Sequence, residues 1–183
     1  LWECPDIFPA KVDGSNEQKW ILITSIQQQA PNGGTATSYF VGDFDGNTFK
    51  GDPKLQRWLD FGTDNYAFVT WSNAPDGRLV GLGWMSNWQY AQVVPTQKWR
   101  SAMTLPRELK LYKQGDDYIL RSMPVKELTS LETDIISMEN RIINDLSLTS
   151  AIPSASKLEF LFKKPKEGLV TIRFSNAKNE YLD

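Results

Sequence analysis

The chain has 183 residues, of which 40% are hydrophobic and seven are tryptophan, so it can build a substantial core. Twenty basic residues oppose 22 acidic ones, for a formal net charge of −2, and no basic patch stands out. Nucleic acid is therefore not an expected partner. No apolar run approaches the roughly 20 residues of a membrane helix, so no membrane partner is expected. One cysteine and no histidine exclude internal disulfides, histidine-dependent triads and histidine-ligated metals, and no cofactor is expected.

Residues 1–123 are predicted to be β-structure, because short β-branched or aromatic runs alternate with turn signals rich in Gly, Asn, Asp and Pro. The predicted strands are Trp20–Ile26, Ser38–Phe44, Tyr66–Trp71 and Leu79–Trp84, followed by a hairpin that joins Leu109–Tyr112 to Tyr118–Arg121. Many short strands with even turns favour a sandwich, barrel or propeller. Aromatic residues at the strand ends fit propeller blades better than a small barrel.

Residues 124–150 differ from the preceding region, because apolar residues recur there at spacings of three and four. We predict a short connector helix over about Val125–Leu131 and leave the rest of this linker open. Beyond it, residues 157–164 and 169–174 alternate apolar and polar side chains, which predicts two strands joined by a hairpin at 165–168. Residues 151–183 are therefore expected to be an incomplete second β-domain, since two or three strands alone are barely stable.

Glu3 is the first candidate for chemistry, and it lies in the run Trp2-Glu3-Cys4-Pro5-Asp6. Its apolar neighbours Trp2 and Cys4 disfavour a charged carboxylate, which suits a general acid that protonates a leaving oxygen. A surface glutamate at a strand end is the alternative that composition alone favours. Because a catalytic motif at this place is unusual for a complete protein, we expect further sequence upstream.

Glycoside hydrolysis needs a second carboxylate beside such an acid. Six aspartates are candidates: Asp6, Asp43, Asp45, Asp60, Asp64 and Asp76. Three of them, Asp43, Asp45 and Asp76, lie in or beside turn signals and are better explained as solvated turn residues. Asp60 and Asp64 flank a glycine just before a predicted strand, where one of them could face a pocket.

The aromatic residues Trp84, Trp88 and Tyr90 form the third candidate group. Packing between blades is the common role of such residues, and a platform for the apolar face of a sugar is the functional alternative. Asn87 and Gln89 are suitable hydrogen-bonding neighbours for sugar hydroxyls. Cys4 is predicted to be a small core residue, because a catalytic thiol needs an activating base.

Five segments in order resemble motifs of glycoside hydrolase family 32, the invertases, inulinases and levanases. They are LWECPDIF at 1–8, SYFVGDFDG at 38–46, DFGTDNYA at 60–67, GWMSNWQYA at 83–91 and PT through WRSAMTLPREL at 95–109. Five ordered motifs are far more specific than any one of them. The resemblance is strong over residues 1–128 and weak beyond them.

The resemblance implies an all-β fold, in which the later blades of a five-bladed propeller precede a linker and the first strands of a β-sandwich. It also implies retaining hydrolysis at a fructosyl carbon of sucrose, inulin or levan. Glu3 would be the acid/base, with Cys4 setting its environment, while Trp84 and, less directly, Asp64 would bind substrate. A secreted or periplasmic location is implied as well.

The chain departs from the family pattern in one respect. The nucleophile motif W-[MI]-N-D-P-[NS]-G and the stabilising R-D-P motif, which precede the acid/base motif in the family, do not occur in these 183 residues. We therefore expect this polypeptide alone to lack hydrolase activity, and we expect self-association or pairing with an N-terminal half. A non-catalytic carbohydrate-binding remnant is the alternative. A propeller glycosidase acting on arabinose polymers fits the PREL run less well.

Overall fold

The computed structural model describes residues 1–28, 30–133, 137, 139, 152–153, 155–163 and 166–182. Internal contacts divide the chain into two compact units, Leu1–Leu131 and Glu132–Asp183. Within the described residues, the regular structure consists of twelve β-strands and three short 3-10 helices, at Pro53–Leu55, Pro75–Gly77 and Lys126–Leu131. No helix of the described part has the length and apolar character to span a bilayer.

The first sheet is an antiparallel meander whose strands follow chain order. It contains β1 (Trp2–Lys11), β2 (Gln18–Ile26), β3 (Ala36–Phe44) and β4 (Phe49–Gly51), and β5 (Arg57–Trp58) also pairs with β3. In β1, the buried side chains Phe8 and Ala10 alternate with exposed positions. This period of two places one face of the strand in the core.

The second sheet repeats the same plan. It contains β6 (Tyr66–Thr70), β7 (Leu79–Met85), β8 (Ala102–Met103), β9 (Arg107–Gln114) and β10 (Asp117–Pro124). The sheet order is β6-β7-β9-β10, and β8 pairs with β7. Each sheet is an antiparallel path of four strands with a fifth, two-residue strand beside it. Two successive sheets of this kind have the form of propeller blades, so the predicted all-β, partial-propeller fold is confirmed.

One hydrophobic core joins the two sheets. Its most buried members include Ile21 and Ile23 of β2, Phe68 of β6 and Leu111 of β9, all 0 or 1% exposed. Tyr39 of β3 lies in the same core, and its hydroxyl accepts a hydrogen bond from the Leu120 backbone N–H at 3.1 Å. Burial raises the pKa of this phenol. Because the core contains side chains of both sheets, each sheet positions the other.

The sequence predictions for the first unit largely agree with this architecture. The four predicted strands and the hairpin correspond to β2, β3, β6, β7, β9 and β10. The predicted connector helix is present as the 3-10 helix Lys126–Leu131. Strand β1 was not among the predicted strands, although it carries the Glu3 motif.

The prediction for the C-terminal unit is wrong in its details. Residues 157–163 and 169–173 form no strand, and the described strands of this unit are β11 (Phe174–Ser175) and β12 (Tyr181–Leu182), which pair with each other. Alternation alone does not make a strand, because a strand also needs a partner to complete its backbone hydrogen bonds. Residues 164–165 of the predicted hairpin, and most of the linker beyond residue 133, lie outside the described residues.

Candidate active site

Glu3 lies at a β-bulge near the start of β1. Glu3 pairs with Ser25 of β2, but the next pair is Asp6 with Ile23, so β1 carries one extra residue between them. Cys4 adopts a left-handed backbone conformation with φ of 47°, which is uncommon for a residue other than glycine. Bulges of this kind bend a strand and redirect side chains, and they are frequent beside active sites.

The Glu3 carboxylate is half-buried and has one hydrogen-bond partner. Its Oε2 accepts from Nε2 of Gln27 at 2.9 Å, and Gln27 directly follows β2. The Trp2 ring packs on Phe40 at a centroid distance of 5.6 Å but stays 57% exposed. Cys4 is exposed, so its predicted place in the core is wrong. The bulge, which turns Cys4 away from the core face, is the physical reason.

Asp6 connects the two sheets directly after this bulge. Its Oδ2 accepts from both the backbone N–H and the hydroxyl of Thr70, at 2.8 and 2.7 Å. Thr70 is the last residue of β6, so one carboxylate oxygen links the first strands of both sheets. Asp6 therefore has a connecting role here, and no described aspartate or glutamate forms a hydrogen bond with Glu3.

Strand β6 carries a bulge that matches the one in β1. Tyr66 pairs with Trp84 of β7, but the next pair is Val69 with Leu82, so β6 also contains one extra residue. Ala67 has φ of 52°, as Cys4 has 47° in β1. The position of Tyr66 in the second sheet therefore corresponds to that of Glu3 in the first sheet, since each is the last paired residue before its bulge. The Tyr66 hydroxyl is buried and has no hydrogen-bond partner among the described residues.

No described ring contact joins Tyr90 to the rest of the predicted aromatic group, but Trp88 is brought against Trp84, which is half-buried. Its ring lies 5.0 Å from Trp88 and 6.2 Å from Tyr66, measured between centroids. Trp88 is 48% exposed and Tyr90 37% exposed. The cluster thus has a packed side and an open side, and the open side can contact the apolar face of a sugar.

The two aspartates beside this cluster have different surroundings. Asp64 is half-buried, and its Oδ1 accepts a hydrogen bond from the Tyr90 hydroxyl. Asp60 accepts from Nδ2 of Asn65 at 2.6 Å and from the Gly62 N–H at 3.0 Å. Asp60 is therefore a structural acceptor, while Asp64 faces the aromatic group. Of the turn aspartates, Asp45 accepts from two backbone N–H groups of its own turn, as expected.

Asn87 is structural, so the suggestion that it binds sugar hydroxyls is wrong. Its side chain is fully buried; Nδ2 donates to the Thr63 carbonyl at 3.0 Å, and Oδ1 accepts from the Gln89 N–H at 3.0 Å. Gln89 donates from Nε2 to the Gly33 carbonyl at 3.1 Å. Asn87 thus holds the segment after β7 against the loop before β6, and Gln89 holds it against the loop before β3.

The candidate residues lie at one end of the paired sheets. Trp2 pairs with Ile26 and Ile26 with Ala36, so β1 and β3 both start at the end of the sheet where β2 finishes. The Thr37 hydroxyl, near the start of β3, donates a hydrogen bond to the Asn65 carbonyl at 3.0 Å. Asn65 directly precedes β6, so the start of β6 lies at the same end. Glu3, Asp64 and Trp84 therefore share this end, although no described hydrogen bond or ring contact joins Glu3 to the other two. Sequence patterns missed Gln27, which stands in a run of three glutamines.

Comparisons with known proteins agree with this arrangement. Residues 1–124 match the family profile described as Glycosyl hydrolases family 32 N-terminal domain. A levanase of Bacillus subtilis (strain 168) is 46% identical over 152 residues, which cover 80% of this chain and 22% of the levanase. An invertase of Debaryomyces hansenii is 35% identical over 190 residues, which cover 97% of this chain and 34% of the invertase.

A solved structure extends the comparison to the fold. The crystal structure of an exo-inulinase from Aspergillus awamori superimposes with a TM-score of 0.65 and 36% identity, over 70% of this chain and 27% of the inulinase. This chain therefore spans about a fifth to a third of the length of the relatives it matches.

Proposed function

The chain belongs to glycosyl hydrolase family 32, and on that premise we propose that it is part of a retaining glycosidase in which Glu3 is the general acid/base. The observation that supports this most is the setting of the carboxylate: half-buried on a bulge, with Gln27 Nε2 donating to it at 2.9 Å. Such an anchored carboxyl group can protonate a leaving oxygen and later accept a proton from water.

The proposed substrate is a fructose-containing oligosaccharide or polysaccharide. Relatives named levanase, invertase and exo-inulinase support this class. In the proposed mechanism, a carboxylate attacks the anomeric carbon of the fructosyl unit while Glu3 gives its proton to the leaving oxygen. Glu3 then takes a proton from the water that releases fructose. Trp84 would pack against the apolar face of the sugar, and Asp64 would accept a hydrogen bond from a sugar hydroxyl. Cys4 would lie next to the acid Glu3.

The attacking carboxylate is not proposed from this chain. Its family motif does not occur in the 183 residues, so we expect the polypeptide alone not to hydrolyse sucrose, inulin or levan. Without a nucleophile, no covalent glycosyl intermediate can form. Release of fructose by the purified chain at a rate abolished by Glu3→Gln would contradict this expectation.

A chimera tests the role of Glu3. The matching 152-residue part of the Bacillus levanase is replaced by this chain, to which it is 46% identical, and levan hydrolysis is measured. We expect Glu3→Gln to lower kcat by roughly 10²–10⁴-fold, the usual contribution of general acid–base catalysis. Asp43→Asn is the matched control, because Asp43 is exposed and its carboxylate accepts a hydrogen bond from Lys19 Nζ at 3.2 Å. Equal kcat for both variants would refute the assignment.

Binding without turnover is the second candidate function. The open side of the aromatic cluster supports it, because Trp88 is 48% exposed while its ring lies against the half-buried Trp84. Titration of the 183-residue chain with inulin oligomers, followed by tryptophan emission, tests this function. Saturable binding that Trp88→Ala weakens, together with an inactive chimera, would favour the binding function.

A further inference from the structure

We propose that Asp6 is a positioning residue: by tying β1 to β6, it fixes the bulge that carries Glu3. This inference rests on the proposed role of Glu3 in the family reaction. Gln27 donates a hydrogen bond to the Glu3 carboxylate at the start of the bulge. The inference concerns the other end of the bulge, at Asp6.

Both bulged strands are the terminal strands of their sheets. Strand β1 pairs only with β2, and β6 pairs only with β7, so each has one edge without a backbone partner in the described residues. At such an edge the extra residue of a bulge is held from one side only. Something other than the sheet ladder must fix the direction in which the bulge points.

The Asp6 carboxylate provides that connection. Asp6 is the first residue of β1 to regain its pairing after the bulge. Its Oδ2 accepts from Thr70 N–H at 2.8 Å and from Thr70 Oγ1 at 2.7 Å. Within the described residues these are the two hydrogen bonds that join β1 to β6. Bonds to a charged acceptor are shorter and stronger than bonds between neutral groups.

The position of Glu3 depends on the hydrogen bonds between Asp6 and Thr70. Glu3 and Asp6 bracket the extra residue, so one side of the bulge is fixed through Asp6 and the other through the Glu3–Ser25 pair. If the connection to Thr70 is lost, the strand can slide or twist at the bulge. The Glu3 carboxylate would then move relative to Gln27, whose backbone directly follows β2.

The test follows Gln27 in the 183-residue chain and needs no turnover. The side-chain NH₂ signals of Gln27 are assigned by nitrogen-15 NMR. The Glu3→Gln variant gives the chemical shifts of these signals when the carboxylate partner is absent. We expect Asp6→Ala and Thr70→Val to move the Gln27 signals towards that limit, with Asp6→Asn in between. Exchange of the Thr70 amide should accelerate about tenfold or more in Asp6→Ala. Asp43→Asn, which removes an exposed carboxylate, should change neither.

A purely structural role predicts a different result. Asp6→Ala would then lower stability while the Gln27 signals stay at their wild-type positions, and that outcome overturns the proposal. If Asp6→Ala does not fold, the Gln27 signals of Thr70→Val decide between the two roles, because this variant removes one of the two hydrogen bonds and keeps the side-chain shape. In the levanase chimera, Asp6→Asn should lower kcat by roughly ten- to a hundredfold with little change in KM. An inactive chimera would count against the role of Glu3 and leave the NMR result unaffected.

Discussion

Gly34→Ala is the substitution that most sharply tests how the segment after β7 is held. A Cβ at residue 34 would lie 2.5 Å from Nδ2 of Asn87, well inside van der Waals contact. Asn87 cannot swing away freely, because it is fully buried and bonded to the Thr63 carbonyl and the Gln89 N–H. The clash must therefore displace the amide or the loop before β3.

The expected cost follows from two opposing effects. Inserting a methyl group into such a packed site costs about 1–3 kcal/mol. Alanine at a compatible backbone position stabilises by about 0.4–1 kcal/mol through the unfolded state. The φ of Gly34 lies outside the left-handed region, so the backbone itself can accept alanine. We expect Gly34→Ala to lower the free energy of unfolding by about 1–2 kcal/mol.

A double-variant cycle in urea, followed by the emission of the seven tryptophans, isolates the clash. In an Asn87→Ala background the close contact with Nδ2 is gone, and Asn32 Oδ1 lies at 3.8 Å from the new Cβ, an ordinary contact. Gly34→Ala should then be neutral or slightly stabilising, so that the two changes are coupled by about 1–2 kcal/mol. Gly62→Ala is the control, because its Cβ would meet Asp60 Oδ1 at 3.6 Å, an ordinary contact. An equal cost of Gly34→Ala in both backgrounds would refute the reasoning.

Three further predictions concern other parts of the first unit. Gly83→Ala should lower the free energy of unfolding in urea by about 1–3 kcal/mol, because its Cβ would overlap Oδ1 of the buried Asn65. An unchanged urea midpoint would argue against this packing. The hydrogen bond from Arg78 lowers the pKa of Glu127 to about 2 from 4.5, so its stabilisation is complete above pH 4.5 and disappears as pH falls towards 2. The urea midpoints of wild type and Glu127→Gln should therefore converge over that pH window, and a constant difference would contradict the pairing. Exposed apolar side chains in residues 93–105 and the edges of β1 and β6 that lack a described strand partner predict self-association of the chain. A clean monomer in light scattering at micromolar concentration would disprove it.

Much of the first unit was predictable from its sequence. Alternating β-branched and aromatic residues identified β2, β3, β6 and β7, because each of these strands has partners on the sheet and a face in the core. Strand β1 was missed because Pro5 and Pro9 weaken a strand prediction. Phe8 and Ala10, which are both buried, were the signal that could have identified it.

The bulges and the hydrogen bonds at the candidate site were beyond sequence reasoning. A left-handed φ is expected at glycine, whereas here Cys4 and Ala67 adopt it. The connection of Asp6 to Thr70 joins residues 64 positions apart, and no local pattern marks such a pair. Asn87 is an example of the opposite error, since a polar residue among tryptophans suggested ligand binding, whereas its buried side chain bonds backbone groups of Thr63 and Gln89.

The most direct test of the central claim is the product formed by the Glu3→Ala levanase chimera in the presence of azide. A retaining enzyme without its acid/base still forms the glycosyl intermediate from a substrate with a good leaving group, and a small anion can then attack the intermediate without base assistance. Azide is expected to restore turnover of an activated fructoside and to yield fructosyl azide, while the Asp43→Asn chimera yields only fructose. Absence of fructosyl azide, with full activity of the Glu3→Ala chimera in water, would contradict the assignment of Glu3.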